Sequence, residues 1–180
     1  MPLLRAYLAL SLDGYIADAQ GGVGWLAPYF SPELGFHEFQ ESIGATVLGR
    51  ATFDQALELG RRFDEERTVV LTHRALEGDT GNAEAFDGDV RELAATLKSE
   101  LEPSGKDVWL MGGGQSLAAF HAADLVDRWE LYIIPTLLGA GLPLFPPDGP
   151  ATETLRPLRT QAFANGVVEL CYEPMNRGGA

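Results

Sequence analysis

Two glycine-containing junctions are the part of this sequence whose residue types and spacing could do chemistry. The apolar run Val108–Met111 stops at three consecutive glycines, Gly112 to Gly114, and helical composition follows. A second junction of the same kind reads Val47-Leu48-Gly49-Arg50. Glycine lets backbone come within contact distance of a bulky ligand, and the amides that open the next helix can face an anion. Together the junctions predict a binding site for a dinucleotide.

An anionic ligand also needs positive charge, which is scarce in this chain. Thirteen Lys and Arg stand against 26 Asp and Glu, giving a net charge of −13. This balance argues against nucleic acid as a partner, because clustered basic residues must replace the counterions of the phosphates. Six basic residues nevertheless fall within one 25-residue stretch between the two junctions: Arg50, Arg61, Arg62, Arg67, His73 and Arg74. Acidic residues are interspersed among them, so the cluster fits either a phosphate pocket or an ordinary solvated surface.

Several other chemistries lack their residues. Leu117 occupies the position where a G-x-G-x-x-G dinucleotide fingerprint starting at Gly112 needs glycine or alanine. No G-x-x-x-x-G-K-[ST] or G-x-S-x-G sequence occurs. One cysteine, three dispersed histidines and no H-E-x-x-H give no pattern for a metal site. We therefore expect no metal, and we expect Cys171 to serve packing.

The elements that must position the junctions alternate between strands and helices. Apolar runs and alternations predict strands at 3–12, 45–48, 67–72, 83–86, 107–111, 128–134, 152–163 and 167–172. Caps and periodicity predict helices at 31–44, 52–59, 90–101 and 115–122. The turn at Asn165-Gly166 predicts a C-terminal β-hairpin. The pattern indicates one α/β domain over 1–174 and a flexible tail over 175–180.

Length and hydropathy restrict the setting of the protein. A chain of 180 residues suits one domain with a substantial core. No apolar run approaches the roughly 20 residues that span a bilayer, and Asp13-Gly14 interrupts the first apolar run early. A single cysteine fits a reducing compartment. We expect a cytoplasmic protein with no membrane partner.

Four motifs in a fixed order match a known superfamily: Ser11–Ala17, Leu48–Phe53, Gly112–Gly114 and Pro135–Phe145. The chain resembles the dihydrofolate reductase-like superfamily over about residues 3 to 173. It resembles in particular the bacterial branch related to the C-terminal reductase domain of bifunctional riboflavin-biosynthesis deaminase/reductases. The resemblance implies a central mixed, mostly parallel eight-stranded sheet flanked by helices, with NADPH lying across the strand ends.

The resemblance also implies which residues hold this cofactor. Gly49, Arg50 and Thr52 would open a helix against phosphate, and Leu71, Thr72, His73 and Arg74 would border the adenosine end. The pyrophosphate would rest on Gly112, Gly113, Gly114, Gln115 and Ser116, and the carboxamide of the nicotinamide on Ala9 and Ile16. The chemistry agrees, since a cofactor with three phosphates needs amide donors at helix starts and a planar guanidinium.

Two carboxylates are candidates for catalysis on the substrate side. Glu33 stands at the spacing of the acid that binds the pterin in dihydrofolate reductases, although Glu38 could face the cleft instead. Asp13 lies in a Ser-x-Asp-Gly step similar to that of the riboflavin branch. Each also has a structural reading: Glu33 as an acid in the first turn of a helix, and Asp13 as a turn former.

The sequence departs from both better-known relatives, which leaves the substrate open. The segment 54–62 does not match the polar substrate segment of the riboflavin reductases, and the Pro-Trp pair of many dihydrofolate reductases is absent. We expect an NADPH-dependent reductase acting on a small pteridine-like or ribosylaminopyrimidine-like heterocycle. The alternative is a non-catalytic nucleotide-binding sensor or interaction module. The apolar edge of the terminal hairpin could support a homodimer.

Overall fold

The computed structural model describes residues 1–147 and 152–175. Ten strands and four α-helices make up this part of the chain. The strands are β1 (Leu4–Ser11), β2 (Tyr15–Asp18), β3 (Ile43–Gly49), β4 (Arg67–Leu71), β5 (Ala83–Phe86), β6 (Asp107–Gly112), β7 (Arg128–Ile134), β8 (Gly141–Pro143), β9 (Leu155–Ala162) and β10 (Val168–Pro174). The helices are α1 (Phe36–Glu41), α2 (Arg50–Glu58), α3 (Val90–Leu101) and α4 (Gly114–Ala122).

Eight strands form the central sheet in the order β5-β4-β3-β6-β1-β7-β10-β9. The six from β5 to β7 are parallel, whereas β10 runs antiparallel to both β7 and β9. The predicted α/β fold, with a mostly parallel eight-stranded sheet and a C-terminal hairpin, is therefore confirmed. The carboxyl ends of the parallel strands meet at one edge of the sheet, which brings the two glycine junctions together.

Side chains that alternate along the strands divide the core between the two faces of the sheet. On one face, Leu4 and Leu110 pack with Leu97 of α3 and Phe120 of α4. The other face carries two smaller clusters. One gathers Tyr7, Phe39, Ile43, Trp109, Tyr132, Ile134 and Val167, and the other gathers Leu48, Phe53, Phe63 and Val70.

The helix predicted over 31–44 is wrong in its extent. The Ser31 hydroxyl accepts a hydrogen bond from the Glu33 amide as expected, but it caps only a short 3-10 turn, Pro32–Leu34. Gly35 then adopts a φ of 68°, which ends that turn, and α1 follows. The chain is already extended at Ile43, because its side chain is buried in the sheet as the first residue of β3.

Two further features of the second half of the chain concern the sequence predictions. The segment Pro135 to Pro150, predicted as a loop, contains the short strand β8, which pairs with β2 in a separate two-stranded sheet. β9 is an edge strand with mostly exposed side chains. A homodimer through this edge stays a prediction. Residues 176–180, where a flexible tail is predicted, lie outside the described residues.

Across residues 1–147 and 152–175, no helix has the length and apolar character required to cross a bilayer.

Candidate active site

The two glycine junctions lie side by side because β3 and β6 are neighbours in the sheet. Leu48 pairs with Gly112 in the strand register, so α2 and α4 begin at adjacent points. The contact between them is close: a Cβ on Gly49 would lie 2.6 Å from the Ser116 hydroxyl oxygen, and one on Gly113 would lie 3.2 Å from that of Thr52. Gly113 also has a φ of 87°, a conformation that side chains disfavour. The backbone of Gly113 therefore favours glycine, and a side chain at Gly49 would have to displace the Ser116 hydroxyl.

Both helices begin without a capping side chain. The N-cap residues of α2 and α4 are Gly49 and Gly113, which have no side chain to accept from the first amides. By contrast, α3 begins at Asp89, whose carboxylate accepts a hydrogen bond of 2.7 Å from the Arg91 amide. The amides that open a helix have no partner within it, and their dipoles favour an anion. Two such helix ends side by side can hold a pyrophosphate.

Two arginines lie beside these helix ends. The Arg50 guanidinium donates to the Asp54 carboxylate at 2.8 Å and to the Ala75 carbonyl at 3.0 Å, which fixes its position. Arg74 is exposed, and within the described part of the chain its guanidinium has no hydrogen-bond or ion-pair partner. Arg50 is thus held in place, whereas Arg74 is free to meet a ligand.

A large cleft of about 1000 Å³ extends from the junctions across the face of the sheet that carries Tyr7 and Trp109. Its volume lies at the upper end of the range for small-molecule sites. We call the end at the junctions the glycine half; its walls are Gly49, Arg50, Ala51, Thr52, Leu71, Arg74 and Gly112 to Ser116. We call the other end the aromatic half; its walls are Tyr7, Leu26, Tyr29, Phe30, Leu34, Phe36, Trp109, Met111, Tyr132 and Ile134.

Packed rings form the floor of the aromatic half. The ring centroids of Tyr7 and Tyr132 lie 4.8 Å apart, and Trp109 meets Phe36 edge-on at 5.7 Å. The Trp109 indole donates to the Tyr7 carbonyl at 2.9 Å. This geometry leaves flat, apolar surface with few polar groups, which suits stacking against a planar ligand.

Two tyrosine hydroxyls reach the same point of this floor. The Tyr132 hydroxyl lies 3.2 Å from the Leu34 carbonyl and 3.3 Å from the buried Glu169 carboxylate, and the Tyr7 hydroxyl lies 3.5 Å from the Leu34 carbonyl. Burial raises the pKa of Tyr7 to about 12, and burial raises the pKa of Tyr132 well above its ordinary value. Both side chains therefore stay protonated near neutral pH.

Loops close the sides of the cleft between its two halves. The Gln55 amide of α2 donates to the Gly21 carbonyl, which ties the segment after β2 to α2. Gly114 approaches the other loop so closely that a Cβ there would lie 3.1 Å from the Pro143 carbonyl oxygen. Ala9 and Ile16 line the cleft as well.

The structure brings together most of the residues predicted to bind the cofactor. Those lining the cleft are Ala9, Ile16, Gly49, Arg50, Thr52, Leu71, Arg74, Gly112, Gly113, Gly114, Gln115 and Ser116. Thr72 and His73 do not line it. The Thr72 hydroxyl accepts from the Arg74 amide at 3.1 Å, and the exposed His73 ring lies 3.9 Å from the Asp87 carboxylate. The binding role of each of these residues stays a prediction.

The two predicted catalytic carboxylates lie outside the walls of the cleft. Glu33 is exposed on its 3-10 turn, and Glu38 is exposed on α1. The Asp13 carboxylate accepts from the amides of Leu138 and Gly139 at 3.2 and 2.8 Å. Hydrogen bonds from the Ser11 hydroxyl and these amides lower the pKa of Asp13. The placement suits an early-turn acid and a turn former, while the catalytic roles of Glu33 and Asp13 stay predictions.

Sequence reasoning missed most of the aromatic half. Tyr7, Trp109 and Tyr132 stand on β1, β6 and β7, where aromatic residues read as ordinary core. Their strands are adjacent in the sheet, yet the residues are far apart in the chain. The one available signal was the alternation that places them on the same face as Ala9 and Met111.

Comparison with known proteins identifies the family. The family model described as RibD C-terminal domain matches residues 2–169. The chain belongs to the RibD C-terminal domain family. Among relatives by sequence, the Bacillus subtilis protein described as uncharacterized protein YyaP is 32% identical over 176 residues, which cover 92% of this chain and 91% of that protein.

Solved structures share the RibD C-terminal fold. A putative riboflavin biosynthesis protein from Shewanella sp. PV-4 aligns with a TM-score of 0.84 and 24% identity, covering 97% of this chain and 99% of that one. The bifunctional diaminohydroxyphosphoribosylaminopyrimidine deaminase/5-amino-6-(5-phosphoribosylamino)uracil reductase from Thermotoga maritima aligns with a TM-score of 0.67 and 16% identity, covering 96% of this chain and 56% of that one. Dihydrofolate reductase from Enterococcus faecalis, complexed with NADP(H), aligns with a TM-score of 0.65 and 18% identity, covering 97% of each chain. These likenesses show the dihydrofolate reductase-like fold that the sequence motifs predicted.

Proposed function

We propose that this protein is an NADPH-dependent reductase that transfers hydride to a small heterocyclic substrate. One observation carries the proposal: two uncapped helix ends and two arginines lie at one end of a cleft whose other end is aromatic. An anionic dinucleotide matches the first end, and a flat ring matches the second. The solved complex of the Enterococcus faecalis reductase with NADP(H), on the same fold, supports this choice of cofactor.

The residues of the glycine half fit the phosphates of NADPH. The first amides of α2 and α4 would hold the pyrophosphate, where a Cβ on Gly49 or Gly113 would crowd its neighbours. Arg50 is fixed beside these amides by Asp54, and Arg74 would meet the additional phosphate of the adenosine ribose. Backbone of Ala9 and Ile16 would bind the carboxamide of the nicotinamide.

When bound, the reduced nicotinamide supplies a hydride, which carries two electrons to a carbon of a C=N or C=O bond. The π-electron pair of that bond moves to the heteroatom, which takes a proton from water at the mouth of the cleft. The rings of the aromatic half orient the substrate and exclude water from the reacting carbon. The hydroxyls of Tyr7 and Tyr132 donate to the Leu34 carbonyl and to Glu169, so their oxygens can accept hydrogen bonds from the polar edge of the substrate.

The alternative of a nucleotide-binding sensor draws on a separate observation. Within the described part of the chain, no carboxylate lines the cleft, so no acidic side chain is placed to assist a reduction there. A protein that binds the nucleotide without turnover would have the same glycine half. The two functions differ in whether the nucleotide is oxidised.

Thermal unfolding and nucleotide oxidation, measured together, test the proposal. At NADPH concentrations about a hundred times Kd, binding should raise Tm by roughly 5–10 °C. Pteridine and ribosylaminopyrimidine substrates should then lower the absorbance of the reduced nicotinamide. A rise in Tm without oxidation by either class would favour the sensor, and no rise in Tm would contradict both functions.

A further inference from the structure

The two halves of the cleft differ in charge. Of the charged residues in 1–147 and 152–175, those that line the cleft are Arg50 and Arg74, and both belong to the glycine half. The aromatic half has walls of apolar side chains and tyrosine hydroxyls, and the other polar side chains that line the cleft outside the glycine half are the uncharged Gln20, Ser31 and Gln55. A substrate bound there meets no cation in the described walls.

The basic residues behind the aromatic half are already paired with carboxylates. Arg61 lies over the Trp109 ring at 5.2 Å, but its guanidinium binds the Glu66 carboxylate at 3.0 Å. Arg5 lies beneath the floor and binds the buried Glu130 carboxylate at 2.7 Å. Each pairing neutralises the charge that a substrate anion would need, and neither side chain lines the cleft.

Negative charge lies directly behind the tyrosines. The Tyr132 hydroxyl is 3.3 Å from the Glu169 carboxylate. Glu169 is only 1% exposed, and its carboxylate also binds the Arg159 guanidinium. The charges of Glu130 and Glu169 add to burial in raising the pKa of Tyr7 and of Tyr132. Arg5 and Arg159 are the ion-pair partners of these two carboxylates, so in the described part of the chain no unpaired positive charge faces the substrate from behind the tyrosines.

A bound phosphate group needs positive charge around it, which the described walls of the aromatic half do not supply. Burying a dianion without a paired cation or several amide donors is costly, and sites that bind phosphate supply both. In this cleft such donors are the first amides of α2 and α4, which the cofactor occupies in the proposed function. The described walls of the aromatic half hold no cation that could pair with the phosphate of a substrate.

Resting on the proposed function, we infer that the aromatic half selects a planar substrate that is uncharged and carries no phosphate. The substrate class therefore differs from the phosphoribosyl compound named for the Thermotoga maritima protein. The ring stacks on the floor formed by Phe36 and Trp109, and its polar edge meets the hydroxyls of Tyr7 and Tyr132. The discrimination comes from the missing cation, since ring shape is the same with or without a phosphate.

A matched pair of ligands tests the inference by binding. One is 5-amino-6-(5-phosphoribosylamino)uracil, named for the reductase activity of the Thermotoga maritima protein, and the other is the same compound after its phosphate has been removed by a phosphatase. Calorimetric titration of each into the chain saturated with NADP⁺ should give a Kd at least about tenfold lower for the dephosphorylated compound. Equal or tighter binding of the phosphorylated compound would overturn the inference, and so would failure of both to bind.

The outcome is separable from that of the proposed function. NADP⁺ binding is measured first. If NADP⁺ does not bind, the proposed reductase function is contradicted, and the two ligands are then titrated into the nucleotide-free chain to test the substrate inference separately. Tight binding of NADP⁺ together with preference for the phosphorylated compound would overturn only the inference about the substrate.

A charge variant gives the complementary test. Leu26→Arg places a cation in the wall of the aromatic half, at a partly exposed position that can accept a long side chain. It should improve binding of the phosphorylated compound about tenfold relative to the dephosphorylated one. Leu59→Arg makes the same change in net charge at a position 69% exposed outside the cleft, and should leave the ratio unchanged. If Leu26→Arg is folded and its ratio of Kd values for the two compounds equals that of the wild type, the inference is overturned.

Discussion

The two halves of the cleft bind by different physical means. The glycine half offers backbone amides at two uncapped helix ends, with Arg50 fixed beside them. The aromatic half offers the rings of Tyr7, Phe36, Trp109 and Tyr132 with paired charges behind them. The first is suited to phosphates whatever they are attached to, whereas the second is suited to one shape of uncharged ring.

The largest effect should come from Gly113→Ala in the glycine half. The new Cβ would be placed at a φ of 87° and 3.2 Å from the Thr52 hydroxyl, so the backbone at the start of α4 is strained and the Thr52 side chain must shift. We expect NADPH affinity to fall by about a hundredfold in calorimetric titration, with a loss of stability of about 1–2 kcal/mol.

Gly105→Ala separates the strain from the binding effect. Gly105 has a φ of 66°, and a Cβ there would meet nothing within 4 Å. This control should lose similar stability and keep full NADPH affinity. Equal affinity for NADPH in both variants would remove the glycine half from cofactor binding.

Arg50→Gln should weaken NADPH binding about tenfold to a hundredfold, since a charged hydrogen bond to phosphate contributes about 1.5–3 kcal/mol. Arg62→Gln is the matched control, because Arg62 is exposed and binds Asp79 at 2.8 Å on the surface. Its Kd for NADPH should stay within about twofold of the wild type. An equal loss of NADPH affinity in both variants would mean that the net charge of the protein, and not the position of Arg50, attracts the nucleotide.

Phe36→Ala should weaken binding in the aromatic half and leave binding in the glycine half unchanged. Removing this ring takes away stacking surface beside Trp109, and we expect the Kd of a planar ligand to rise about tenfold. NADPH affinity should stay unchanged, because Phe36 belongs to the aromatic half. Phe36→Leu keeps most of the apolar volume and should lie between the wild type and Phe36→Ala. A loss of NADPH affinity instead would show that the halves are not independent.

The aromatic half should also make stability depend on alkaline pH. The Tyr7 pKa is raised to about 12 from an ordinary value of 10.0, so the folded state holds its proton more tightly than the unfolded state does. The contribution of the Tyr7 proton to the free energy of unfolding is complete below pH 10.0 and is lost as the pH rises towards about 12. Urea unfolding across that window should show the decline, and Tyr7→Phe should make it shallower. An equally steep decline in Tyr7→Phe would assign the effect to other groups.

The smallest effect should come from Glu33→Gln. The carboxylate is exposed and outside the walls of the cleft, so kcat/KM should change by less than about twofold. Glu38→Gln is a suitable control, since Glu38 is likewise exposed on the next helix. A loss of tenfold or more confined to Glu33→Gln, with an altered pH profile, would return Glu33 to the role of proton donor.

The glycine half was predictable because its signals are local. An apolar strand, a glycine and a helix start are contiguous at Leu48-Gly49-Arg50 and again at Leu110 to Gly114, and strands such as β5 and β7 have the predicted bounds. Adjacent parallel strands then bring the two junctions together without any further information.

The aromatic half was not predictable in the same way. Its floor depends on the register between β1, β6 and β7, which no short motif encodes. The wall opposite depends on Gly35, whose positive φ splits the segment predicted as one helix into a 3-10 turn and α1. That split leaves Leu34 over the tyrosines and Glu33 on the outside.

A crystal structure of the complex with NADP⁺ tests the central claim most directly. The account predicts the pyrophosphate within hydrogen-bond distance of the first amides of α2 and α4, with the nicotinamide pointing towards the aromatic half. A pyrophosphate bound elsewhere on the chain, with these amides left to solvent, would contradict it.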